Sequence, residues 1–64
     1  MTTQSGREIL FEFQVIGSTV KVTAIDSVTG TEVSIMGPAN ASRADLQRVA
    51  LAKLKARLDR EQTR

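Results

Sequence analysis

The stretch Glu8–Asp26, EILFEFQVIGSTVKVTAID, decides the fold of this chain. Apolar and polar residues nearly alternate on both sides of Gly17-Ser18, which is the pattern of two half-buried strands. A two-residue loop with glycine first favours a type II′ hairpin turn. If the residues flanking this turn face each other, the apolar side chains of both strands share one face, and we expect Phe11 and Phe13 to be central to the core. The facing pairs on that side are Val15 with Val20, Phe13 with Val22 and Phe11 with Ala24.

A second turn follows at Ser27–Gly30 and predicts a four-residue loop into a third strand. Gly30 is expected to have a positive φ, which other residues resist. Asp26 is expected to accept hydrogen bonds from the loop amides. Pairing Asp26 with Thr31 places Val33 on the face already assigned to the core. Two independent turns therefore agree on one buried face.

The third strand is predicted to end at Gly37-Pro38, because proline cannot donate a backbone hydrogen bond. Ser42-Arg43-Ala44-Asp45 then matches the start of a capped helix. An apolar stripe that recurs every four residues carries this helix to about residue 60; its members are Leu46, Ala50, Leu54 and Leu58.

The predicted fold is one α+β domain over residues 7–60. It is a three-stranded antiparallel meander in order 1-2-3 with one C-terminal helix packed on one face (βββα). Residues 1–6 and 61–64 have little to bury and are expected to be frayed ends.

The composition argues against an enzyme. The chain has 64 residues and contains neither cysteine nor histidine, so disulfides are excluded and no zinc site or cofactor is expected. No histidine is present to activate a serine or threonine nucleophile. The four glycines do not form a phosphate-binding pattern. Because the first residues do not resemble a signal peptide and no apolar run approaches a membrane span, a cytoplasmic location is expected.

Two surfaces could bind a partner. On the outer face of the sheet Leu10 is predicted to pair with Ile25, and on the helix Val49, Ala52 and Ala56 form a strip that another helix could approach. Scattered apolar side chains are also normal on a protein surface. Alanine is, in addition, simply the best helix former. We therefore expect the protein to be a small non-catalytic binding or assembly module. It would associate either with itself or with an unidentified protein partner.

The alternative is weak, non-specific nucleic-acid binding through the basic helix. The net charge is only +2, but seven of the nine basic side chains lie in residues 42–64. Cations near a helix C-terminus are also favoured by the helix dipole, so the asymmetry has a second explanation. The candidate contacts are Arg43, Arg48, Lys53, Lys55, Arg57 and Arg60.

Three segments resemble a family of short, uncharacterised bacterial proteins, a domain-of-unknown-function group. They are Arg7–Phe13 (REILFEF), Val20–Asp26 (VKVTAID) and Thr29–Ile35 (TGTEVSI), the last of which continues into Gly37-Pro38. The resemblance extends from Arg7 to Leu58. It implies no catalytic residues and leaves the partner unidentified.

Overall fold

The fold is the predicted α+β arrangement of three strands followed by a helix. The computed structural model describes residues 7–62, so the expectations for residues 1–6, 63 and 64 lie outside the described residues. Its elements are β1 (Ile9–Ile16), β2 (Thr19–Asp26), β3 (Glu32–Pro38) and α1 (Arg43–Gln62). The strands form one antiparallel sheet in the order β1-β2-β3, and α1 packs on one face of it.

The positions and lengths of both predicted turns are confirmed, and so are both registers. Ile16 lies opposite Thr19, and each apolar pair named above follows from that register. In the second hairpin Ala24 lies opposite Val33. Gly17 has φ 62° and Gly30 has φ 78°, in the region that a side chain disfavours.

The helix begins at the predicted cap. The Asp45 amide donates to Ser42 Oγ at 3.3 Å, and the Leu46 amide donates to the Ser42 carbonyl at 3.0 Å. The helix extends to Gln62, two residues beyond its predicted end at about residue 60. Its last turn has a tertiary contact, because Thr31 Oγ1 donates to Glu61 Oε1 at 3.1 Å.

The core lies between α1 and the strands β2 and β3. Its buried apolar residues are Val20, Val22, Ala24, Val33, Leu46, Ala50 and Leu54. Phe11 and Phe13 pack against this cluster but are only half-buried, so the expectation that they are central to the core is wrong. A helix is about 10 Å wide and strands lie about 4.8 Å apart, so one helix covers two strands of a sheet well and a third poorly.

Small residues bring the helix close to β3. A Cβ at Gly37 would lie 2.6 Å from Leu46 Cδ2, so the glycine leaves room for the leucine side chain. Ala50 is fully buried against the sheet as well. These contacts draw α1 toward β3 and away from β1.

Candidate interaction surfaces

The helix-facing side of β1 is only partly covered. Val15 and Val20 lie opposite each other on this face, yet Val15 is 61% exposed and Val20 only 5%. Phe11 and Phe13 are intermediate between them. On the helix-facing side, the side chains of β1 are therefore much more exposed than those of the neighbouring strand β2.

One cation covers part of this side. The Arg43 guanidinium carbon lies 4.6 Å from the centroid of the Phe13 ring, which is a cation–π contact. Arg43 is the first residue of α1 and remains exposed. It shields one aromatic ring and leaves Val15 uncovered.

Within residues 7–62, the outer edge of β1 presents unpaired backbone groups. In an antiparallel pair the hydrogen-bonding groups of alternate residues point to opposite sides of the strand. The Ser27 amide donates to the Glu8 carbonyl at 2.9 Å, so even-numbered residues of β1 bond to β2. The backbone groups of the odd-numbered residues therefore point outward; we call this set, Ile9, Phe11, Phe13 and Val15, the open edge of β1.

The opposite edge of the sheet is protected. By the same alternation the Ser34 carbonyl points outward from β3, and Lys53 Nζ donates to it at 2.8 Å. Pro38, the last residue of β3, has no amide hydrogen to donate. Lysine and proline are the residues by which natural sheets discourage edge pairing.

The outer face of the sheet does not form one apolar patch. Leu10 lies opposite Ile25 as predicted and is 51% exposed. Next to this pair runs a polar row of Glu12, Thr23 and Ser34, in which the Thr23 and Ser34 hydroxyls are 3.1 Å apart. This row separates Leu10 and Ile25 from the apolar residues at the other end of the face.

The candidate residues on the helix lie on a different face. Val49 is 53% exposed, and Ala52 and Ala56 are exposed too. They lie on α1, which packs on the opposite side of the sheet from Leu10 and Ile25. The five candidate partner residues thus form two separate surfaces.

At least four of the six candidate nucleic-acid contacts already interact with groups within the protein. Arg43 lies on Phe13, Lys53 binds a backbone carbonyl of β3, and Arg48 forms an ion pair with Asp45 one turn away. Arg60 is exposed but also interacts within the protein, Lys55 is exposed, and Arg57 is half-buried.

A fully buried carboxylate joins the start of the described chain to the second turn. Arg7 Nε lies 2.9 Å from Asp26 Oδ1 as an ion pair whose geometry is not that of a hydrogen bond, and Arg7 Nη2 donates to Oδ2 at 3.3 Å. The Thr29 amide and hydroxyl donate to Oδ2 at 3.1 and 2.8 Å. The predicted role of Asp26 in the turn is confirmed.

The charge state of Asp26 follows from these contacts. Burial alone would raise the pKa of this carboxyl group, but the hydrogen bonds from Thr29 and the charge of Arg7 outweigh it. The pKa is therefore lowered from its ordinary value of 3.8. A carboxylate that is buried, ionised and held by its neighbours stabilises the turn.

A family comparison covers nearly the whole fold. The model of DUF6898, a domain of unknown function, matches residues 6–61. This chain belongs to the DUF6898 family. No curated protein and no solved structure matches the chain. The resemblance to a domain-of-unknown-function group is therefore confirmed.

Within residues 7–62 this DUF6898 domain has no concave pocket, no cluster of three potential metal ligands and no helix with the length and apolar character to cross a membrane. Sequence reasoning missed two features. The exposure of Val15 depends on where the helix lies, which no local pattern specifies. The Arg7–Asp26 pair joins residues 19 positions apart, and an arginine just before a strand was its one available signal.

Proposed function

We propose that this DUF6898 domain is a non-catalytic assembly module that associates with a second copy of itself through the β1 side. The observation that carries the proposal is the contrast between the two outer strands. On β1 an open edge and a half-covered apolar face coincide, whereas β3 is packed under the helix and protected by Lys53. Exposed strand edges are templates for pairing with another chain.

The size of the domain supports the same proposal. A chain of about 60 residues buries only about 60% of its unfolded surface, and small domains without disulfides or metals commonly gain stability by oligomerising. A second copy on β1 would cover Val15 and the rings of Phe11 and Phe13 without disturbing the packing of β2 and β3.

The non-catalytic part of the proposal rests on the residues present. The chain contains no histidine or cysteine. The one buried carboxylate within residues 7–62, that of Asp26, is bound by Arg7 and Thr29. A cytoplasmic location belongs to this proposal as well, and the cysteine-free composition is compatible with it.

The test is sedimentation velocity of the full chain from low micromolar to near-millimolar concentration. We expect a reversible monomer–dimer equilibrium. Val15→Lys should weaken it by at least about tenfold, because lysine on an exposed strand opposes edge pairing. Val28→Lys is the matched control, since Val28 is 59% exposed but lies in the second turn. A monomer at every concentration, or equal weakening by both variants, would overturn the proposal.

Nucleic-acid binding is the second candidate, and the concentration of basic side chains in residues 42–64 is the observation that favours it. The engagement of Arg43, Arg48 and Lys53 within the protein supports ranking it second. We expect affinity weaker than about 10 µM at physiological salt. Sub-micromolar binding of labelled duplexes with a steep salt dependence, lost on changing Arg48 and Lys55 to glutamine, would reverse the ranking.

A further inference from the structure

We infer that the two copies join β1 to β1 antiparallel, with the two-fold axis at Phe13, to make one continuous six-stranded sheet. The inference rests on the proposed function and specifies its interface. It starts from the open edge of β1, where only the odd-numbered residues point their backbone groups outward. Odd-numbered residues must therefore pair with odd-numbered residues, and this leaves a few registers, each defined by the residue at the axis.

The register with the axis at Phe13 matches the exposed side chains of β1. On the outer face Leu10 lies opposite Ile16 of the second copy, and both side chains are 51% exposed in the single chain. On the helix-facing side Phe11 lies opposite Val15 of the second copy. Every exposed apolar side chain of β1 thereby gains an apolar partner, which is the kind of cross-strand pair that stabilises a sheet.

The polar residues of β1 also fit this register. Glu12 lies opposite Gln14 of the second copy, so no carboxylate faces another one. The outward groups of Phe11, Phe13 and Val15 supply about six hydrogen bonds between the copies. Arg43 lies on Phe13, the residue at the two-fold axis, so the Arg43 side chains of the two copies come near each other. Each is exposed and long enough to turn away from the other.

Neighbouring registers are worse for identifiable reasons. With the axis at Glu12, the two Glu12 carboxylates face each other directly, and like charges in that position destabilise a sheet. With the axis at Phe11, Leu10 faces Glu12. With the axis at Gln14, Glu12 faces Ile16. Each of these registers places an exposed apolar side chain opposite a polar one or creates a like-charge pair.

The protected edge of β3 limits the assembly to a closed dimer. A head-to-tail contact between β1 of one copy and β3 of the next would repeat without end and produce a filament. Lys53 on the Ser34 carbonyl and Pro38 at the strand end oppose that contact. Pairing of β1 with itself uses the same edge twice and closes.

Disulfide trapping tests the register, and the chain has no cysteine of its own to interfere. Glu12→Cys and Gln14→Cys place thiols on exposed outer-face positions. In the inferred register residue 12 of one copy faces residue 14 of the other at about 4.5 Å between Cα atoms, within disulfide range, whereas residue 12 is about 7 Å or more from its own equivalent.

The two variants are mixed, one of them carrying a mass tag, and oxidised mildly at a concentration where the chain is dimeric. We expect the mixed disulfide to exceed the two self-disulfides together by at least about threefold, because only the mixed pair meets the geometry. Val28→Cys measures cross-linking by random collision. Glu12→Cys removes the like-charge repulsion that disfavours the register with its axis at residue 12. The substitution therefore favours the competing register, and a dominant mixed disulfide would support the axis at Phe13 despite this.

Each other outcome has a defined meaning. Dominant self-disulfides of Glu12→Cys would move the axis to Glu12, and dominant self-disulfides of Gln14→Cys would move it to Gln14; either result overturns the register and leaves self-association in place. Cross-linking no better than that of Val28→Cys, in a protein that still sediments as a dimer, would exclude the axes at Glu12, Phe13 and Gln14 and so overturn the inferred register. A monomer in sedimentation removes the proposed function itself.

Discussion

The two outer strands of this sheet have the same neighbour, β2, and similar lengths, yet the helix covers one of them and not the other. β3 lies under the helix, with Gly37 making room for Leu46 and Lys53 binding the Ser34 carbonyl. β1 receives one exposed arginine on Phe13 and keeps Val15 in solvent. One helix is too narrow to cover three strands fully, and in this domain the strand left partly uncovered is β1.

Residue size does not determine which outer strand the helix covers. β1 carries both phenylalanines of the chain, and large aromatic side chains bury the most apolar area. The helix instead packs where valine, alanine and glycine allow close approach. Close packing at native density compensates for the smaller side chains.

The largest expected effect is on the covered side. Leu54 is fully buried between α1 and the sheet, so Leu54→Ala removes apolar contacts and leaves a cavity. We expect a loss of about 3 to 4 kcal/mol in the free energy of unfolding, measured by urea unfolding with far-UV circular dichroism. If that variant is unfolded in water, Leu54→Val gives a smaller, measurable loss. A loss below about 1 kcal/mol for Leu54→Ala would place the core elsewhere.

Phe13→Ala measures the uncovered side in the same assay. Its ring is half-buried and contacts Arg43, so we expect a loss of about 2 kcal/mol, smaller than for Leu54→Ala although more atoms are removed. The measurement is made at micromolar concentration, where association does not contribute. A loss that equals or exceeds that of Leu54→Ala would contradict the contrast between the strands.

The sequence was sufficient for the strands, the turns and the register because these depend on local patterns. Alternation within Glu8–Asp26 identifies the buried face, and Gly17 and Gly30 specify the hairpins. The helix start is local as well, since Ser42 caps it. The lateral position of the helix is not a local property, because it depends on the balance between packing on β1 and packing on β3. For this reason the prediction that Phe11 and Phe13 are central to the core is wrong.

The candidate site was predicted less well than the fold. Pairing of Leu10 with Ile25 followed from the register and is correct, but the exposure of Val15 depends on the helix position. Lys53 is a candidate nucleic-acid contact in the sequence, and its hydrogen bond to the Ser34 carbonyl has no signal there. A lysine at the margin of a helical apolar stripe faces the edge of whichever strand the helix covers, and the sequence does not specify that strand.

A smaller effect is expected at Asp26, the buried carboxylate that binds Arg7 just before β1. The pKa of Asp26 is lower in the folded state than its ordinary value, so the folded chain binds fewer protons than the unfolded chain at acid pH. This carboxylate therefore stabilises the fold above about pH 4, and the contribution is lost as the pH falls through the folded pKa.

The measurement is the urea midpoint between about pH 5 and pH 2. Asp26→Asn should flatten its fall with acid, and Thr29→Val should flatten it in part, because the Thr29 hydroxyl helps to lower the pKa of Asp26. Thr31→Val is the matched control, since the Thr31 hydroxyl lies next to that of Thr29 but donates to Glu61. An Asp26→Asn profile as steep as that of the parent would show that the carboxylate does not carry this dependence.

The smallest effect on stability, and the sharpest on assembly, is expected from removing the protection of β3. Lys53→Met keeps an unbranched side chain along the strand edge but leaves the outward Ser34 carbonyl without its donor. The free energy of unfolding should change by less than about 1 kcal/mol, because the lost hydrogen bond is exposed to water. Both outer edges would then be available, so sedimentation should detect species larger than a dimer, growing with concentration.

Lys55→Met is the control, because it removes an exposed cation from the same helix and should leave the dimer unchanged. The two variants alter charge and hydrophobicity equally, so larger species in Lys53→Met alone would show that the open edge of β3 causes the growth. Larger species in both variants would show that the more hydrophobic helix causes it, and would contradict the contrast between β1 and β3.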